Sequence, residues 1–116
     1  MSAEKMLEKT NRINMLFDFY QNLLTEKQQT YLKFYFQDDY SLGEIAEQFQ
    51  ISRQAIYEHI KRAEQVLDQY ESKLHLVSNY LKRNELLNQL NNHILDLKNN
   101  KQLLDITEKL KSLDET

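Results

Sequence analysis

The chain has 116 residues, 41% of them hydrophobic and 28% charged, with a formal net charge of −3, a balance that allows a modest core and is not that of a disordered segment. It has no cysteine, which excludes disulfides, thiolate catalysis and zinc–cysteine sites, and no apolar run long enough to span a membrane, so the cytoplasm is the expected location. With no proline and a single glycine, Gly43, it reads as helices joined by short Asn, Asp or Ser turns rather than as β-hairpins.

The first predicted helix runs from about Glu4 to Leu24, with Ile13, Leu16, Phe17, Tyr20 and Leu24 on one buried face. Thr25-Glu26-Lys27-Gln28 has the pattern of a capping box and opens a second helix. That helix carries Tyr31, Leu32, Phe34, Tyr35 and Phe36, an aromatic cluster expected in the core with any surplus at a dimer contact. Asp38-Asp39-Tyr40 is the predicted turn. A second capping box, Ser41-Leu42-Gly43-Glu44, opens a short third helix with Leu42, Ile45, Ala46 and Phe49 inward.

Gln50-Ile51 makes the next turn, and Ser52 caps a fourth helix that starts at Arg53. Along it Ile56, Ile60, Ala63, Leu67, Tyr70, Leu74, Val77 and Leu81 alternate at spacings of four and three, a heptad seam that predicts one helix continuing to about Arg83. A new apolar stripe, Leu87, Leu90, Ile94 and Leu97, follows a phase break near Asn84. After Asn99-Asn100 a last stripe runs through Leu103, Ile106, Leu110 and Leu113. The expected organisation is all-α: a helix-turn-helix domain over 1–83 with a long fourth helix, and a helical C-terminal extension over 84–116 without a core of its own. The seam and the aromatic surplus predict a homodimer.

The segment from Ser41 to Arg62 has the pattern of a helix-turn-helix. Ala46 is the small residue where the second helix crosses, Ile51 anchors the turn, and Ile56 and Ile60 face back into the domain. The start and opposite face of the second helix are then open to a major groove. Spacing puts Gln54, Tyr57, Glu58 and Lys61 on that outer face. The candidate nucleic-acid contacts are Ser52, Arg53, Gln54, Tyr57, Lys61 and Arg62. Arg53 and Gln54 are placed to read bases, and the others to hold phosphates, Ser52 through its hydroxyl or the helix-start amides. Each also has a plain reading as a solvated or packing side chain. Glu44, Glu47 and Glu58 cancel Arg53, Lys61 and Arg62, which weakens the phosphate attraction on which such binding rests.

The stretch from Leu24 to Ile56 resembles the C-terminal region of bacterial sigma factors, a four-helix unit that recognises the upstream promoter element. A closer resemblance runs from about Lys9 to about Leu87 and rests on Asn11-Arg12-Ile13-Asn14-Met15-Leu16-Phe17-Asp18-Phe19-Tyr20, Asp39-Tyr40-Ser41-Leu42 and Ser52-Arg53-Gln54-Ala55-Ile56-Tyr57. It is similar to the YlxM family of small helix-turn-helix proteins, encoded beside the signal recognition particle GTPase. The resemblance implies a part in co-translational targeting. Two departures from the sigma pattern stand out: Gln50 where glycine or a small polar residue is usual, and His59 where some sigma factors place an apolar residue.

No enzyme, cofactor or metal site is expected. His59, His75 and His93 lie far apart, and one glycine cannot make a phosphate loop. The expected function is a nucleic-acid-binding regulatory or accessory protein, with DNA favoured over RNA and signal recognition particle components as further partners. The alternative is a protein–protein adaptor docking on the signal recognition particle GTPase or its RNA, without sequence-specific DNA binding.

Overall fold

Side-chain caps decide where the helices of the N-terminal unit begin. In the computed structural model, which describes residues 2–97 and 101–114, α1 (Ala3–Tyr20) starts at Ser2, whose hydroxyl accepts the Lys5 amide. A 3-10 turn over Gln21–Leu23 leads to α2 (Glu26–Leu32). There the Thr25 hydroxyl accepts the Gln28 amide while the Gln28 side chain accepts from the Thr25 amide, the reciprocal pairing expected of this sequence. The same box recurs between Ser41 and Glu44 at α3 (Leu42–Phe49), and Ser52 caps α4 (Arg53–Leu74) by accepting the Ala55 amide at 3.0 Å. Helices α5 (Leu76–Leu95) and α6 (Lys101–Asp114) complete the chain. Among the described residues there is no strand, and the fold is all-α as expected.

Helix α2 does not end as an ordinary helix. Lys33–Gln37 form a π-helical turn, with the Asp38 amide donating to the Lys33 carbonyl at 3.0 Å. Three adjacent aromatics compete here for one face, and the widened turn shares them out. Phe36 is buried, while Phe34 meets Tyr40 at 4.8 Å and Phe49 at 5.7 Å between ring centroids. Asp39 then takes a left-handed conformation (φ 59°), and the Tyr40 amide closes the end on the Phe34 carbonyl.

The core of this unit gathers one face from each helix: Ile13, Leu16, Phe17 and Tyr20 of α1, Tyr31 and Leu32 of α2, Ile45 of α3, and Ile56, Ile60, Ala63 and Leu67 of α4. Helices α1 and α4 run in the same direction, since their contacts advance together. Lys9 meets Glu64, Arg12 meets Asp68, and the Tyr20 hydroxyl donates to Glu71 at 2.6 Å. The Tyr70 hydroxyl reaches the Leu23 carbonyl, and its ring stacks on Tyr20.

The fourth helix is shorter than its seam suggests. It ends at Leu74, where His75 adopts a left-handed conformation (φ 56°) and its amide caps onto the Glu71 carbonyl. By internal contacts the chain divides into Met1–His75 and Leu76–Thr116, so the expected boundary after Arg83 moves to this break. The heptad spacing continues across it, but Val77 lies beyond the break, and Leu74 and Leu81 are exposed. A stripe in sequence does not require one continuous helix.

The second unit pairs α5 with α6 antiparallel and has a small core of its own, contrary to the expectation of none. Leu87 and Ile94 are buried there beside two polar residues, Asn91 and Thr107, whose side chains hydrogen-bond to each other. Asn99-Asn100, the predicted turn, lies outside the described residues.

Candidate nucleic-acid interface

The turn between α3 and α4 places the candidate site. Gln50 carries the left-handed residue that ends α3 (φ 55°), a conformation more usual for glycine. The Ile51 amide reaches back to the Ala46 carbonyl at 3.2 Å, closing the helix end as a Schellman-type turn. The Ile51 side chain is itself exposed, so this backbone bond, and not the apolar anchor expected from the sequence, holds the turn. Ser52 then begins α4, with its hydroxyl committed to the Ala55 amide.

Ser52, Arg53, Gln54, Tyr57, Lys61 and Arg62 are all exposed. At about 100° per residue, the five helical ones spread over about half the circumference, opposite Ile56, Ala63 and Leu67. Arg53 lies at one edge and Arg62 at the other. Between them Lys61 sits with its ammonium 5.7 Å from the centre of the Tyr57 ring, so these two are brought together. Gln54 donates to Glu58 at 3.5 Å, a long contact that turns its amide along the helix. Glu58 falls between Gln54 and Arg62 and puts a carboxylate inside the face. Arg53 and Arg62 have no ionic partner among the described residues.

Glu64 is a feature the sequence reading overlooked. It is only 7% exposed, and its carboxylate stands between two ammonium groups: Lys9 of α1 at 3.2 Å and Lys61 at 3.9 Å. The Lys9 contact is one of charge rather than an aligned hydrogen bond. Lys61 is therefore partly neutralised from within its own helix. The signal was present, because Glu64 is one residue past Ala63 and four past Ile60, at the margin of the buried stripe. Only the arrival of α1 makes that margin interior.

His59, the other departure from the sigma pattern, packs as an aromatic. Its ring lies 5.2 Å from Tyr31, which in turn meets Phe49 edge-on at 5.2 Å. The imidazole thus takes the place of an apolar side chain between α2 and α4. Among the described residues no group of three or more His, Cys, Asp or Glu could hold a metal ion, and no helix is long and apolar enough to cross a membrane.

Two capped helices joined by a tight left-handed turn, the second with its start and outer face exposed, make this a helix-turn-helix protein. Residues 7–107 match the model of the family UPF0122, described as "Putative helix-turn-helix protein, YlxM / p13 like", and the chain belongs to that family. It is 55% identical over 111 residues to a UPF0122 protein of Listeria monocytogenes serotype 4b, covering 94% of this chain and all of the relative. It is 52% identical over 110 residues to one of Geobacillus, with the same coverage, and 63% identical over 84 residues to one of Lactococcus lactis subsp. cremoris, covering 72% of this chain and 76% of the relative.

Proposed function

We propose that the exposed half of α4 binds nucleic acid, duplex DNA in preference to RNA, and that the protein acts as an accessory or regulatory factor in the signal recognition particle pathway. The observation that carries the reading is the open start of α4. Arg53 stands there with no ionic partner among the described residues, beside Ser52 and Gln54, at the end of the helix that enters the groove in this motif. Arg53 and Gln54 are assigned to base edges, and Ser52, Tyr57, Lys61 and Arg62 to phosphates. The link to the targeting pathway rests on the family resemblance alone.

A second reading is favoured by Glu58, which places a negative charge within the face. On that reading the protein is an adaptor docked on the signal recognition particle GTPase or its ribonucleoprotein. A salt titration of binding to labelled duplex DNA and, in parallel, to signal recognition particle RNA separates the two. Nucleic-acid contact predicts affinity falling steeply with salt, each phosphate neutralised adding about 0.9 to the logarithmic slope on duplex DNA. Arg53→Ala with Lys61→Ala is expected to abolish binding. No binding to either polymer even at low salt overturns the reading and leaves the adaptor.

A further inference from the structure

The second unit mixes polar side chains into its seam and leaves a leucine stripe on its outside, which is not how a helical hairpin stable by itself is built. Along the seam Asn91 pairs with Thr107, Lys111 donates to Asn88 at 2.6 Å, and Arg83 meets Asp114 at 2.5 Å. On α6 the residues turned toward α5 are Leu104, Thr107, Lys111 and Asp114, none exposed. The evenly spaced stripe of that helix, Leu103, Ile106, Leu110 and Leu113, is left 44 to 71% exposed. Its spacing of three, four and three is that of a coiled-coil seam.

Helix α5 repeats the division. Leu87 and Ile94 face the seam, whereas Leu86 and Leu90 are 57% and 46% exposed, so the stripe read along the sequence splits between two faces. Leu86 and Leu90 lie about 100° around α5 from the seam, and Leu103, Ile106 and Leu110 lie about 100° around α6 from theirs. The sense of rotation is the same seen from each helix's own start. Because the helices are antiparallel, equal rotation in the same sense turns both stripes to one side of the hairpin.

The register then aligns them. The pairs Asn91–Thr107 and Asn88–Lys111 fix the stagger, which brings Leu90 level with Leu110, His93 with Ile106 and Leu86 with Leu113. These levels are half of a four-helix bundle, layer by layer. The exposed surface of Leu86, Leu90, Leu103, Ile106, Leu110 and Leu113 amounts to roughly 550–600 Å² per hairpin, at the top of the range for the largest patch of an ordinary monomer, and doubled by a second copy it reaches the lower edge of the range for specific interfaces.

We propose that this face is covered by the same face of a second copy, closing an antiparallel four-helix bundle around a two-fold axis. A two-fold contact requires a surface complementary to itself, and a flat array of matched leucine layers meets that requirement. A two-helix unit this small also needs association to hold its shape. His93 is the single polar residue among the three levels and makes its layer the weak one. The interface is independent of whether α4 reads nucleic acid.

Sedimentation equilibrium of the full chain tests this, from about 1 to about 100 µM, the range in which a moderate interface is half-formed. The expected result is a dimer. Leu90→Asp combined with Leu110→Asp weakens it about 100-fold or more while helicity by circular dichroism stays unchanged, since both positions are exposed in the single copy. His93→Leu, which completes the weak layer, tightens the dimer about tenfold. A wild-type chain that remains monomeric throughout overturns the proposal, and so does a dimer indifferent to both changes.

Discussion

At the scale of single residues, one backbone conformation and one capping carboxylate matter beyond what residue type alone suggests. Gln50 holds the left-handed turn between α3 and α4 with a side chain that resists that conformation. Replacing it with glycine is expected to stabilise the fold by about 0.5–1 kcal/mol, raising the thermal midpoint by several degrees. A thermal melt in which Gln50→Gly lies at or below the parent means that the glutamine makes a compensating contact. Glu44 is the second case. The Ser41 amide, and then the Ser41 hydroxyl, hydrogen-bond its carboxylate and hold its pKa below the ordinary glutamate value. A depressed carboxylate contributes stability above its unfolded pKa and loses it as pH falls through the folded one. The contribution of this cap is therefore complete near neutrality and disappears in acid. Ser41→Ala leaves the amide but removes the hydroxyl, so NMR titration should show the Glu44 pKa rising part of the way toward its ordinary value.

At the scale of elements, the seam of α4 has a structural and an ornamental part. Leu67 is fully buried where α1 crosses α4, whereas Leu74, two turns further along the same spacing, is 47% exposed. Leu67→Ala is expected to cost about 2–5 kcal/mol in urea denaturation, and Leu74→Ala to stay within about 0.5 kcal/mol. Equal losses at the two positions restore the continuous seam that the spacing alone suggests. The ion pairs across the same junction matter less. Arg12 and Asp68 are both more than half exposed at 3.1 Å, so Arg12→Ala should change stability by less than about 1 kcal/mol. The seam was legible through Leu67 because buried apolar spacing reports directly on packing. Its end was not, because a left-handed residue at His75 leaves no mark in a pattern of leucines.

At the scale of the whole molecule, the net charge of −3 sets a limit that sequence alone exposed. One copy of α4 offers few uncompensated cations, and a dimer doubles them. If both proposals hold, a duplex carrying two half-sites, at the best-bound spacing of a series, binds the dimer through both copies. Leu90→Asp with Leu110→Asp should then weaken binding to the paired site about 100-fold and leave a single half-site unchanged. Fluorescence anisotropy on the two duplexes makes the comparison. An equal loss on both would place the substitutions' effect on the reading helix itself.

What the sequence by itself determined was local. Both capping boxes, the Ser52 cap, the aromatic core and the helix-turn-helix with its outer face follow from short-range chemistry, because a hydroxyl reaches an amide three residues away wherever the chain folds. Only the tertiary structure decided the fate of Glu64, which becomes interior when α1 arrives, and the end of α4 at His75. It also decided which leucines of α5 and α6 turn inward. Helical periodicity names a face but not its neighbour, and in the second unit Asn91 and Thr107 share the inside with Leu87 and Ile94, leaving the α6 stripe and half of the α5 stripe exposed.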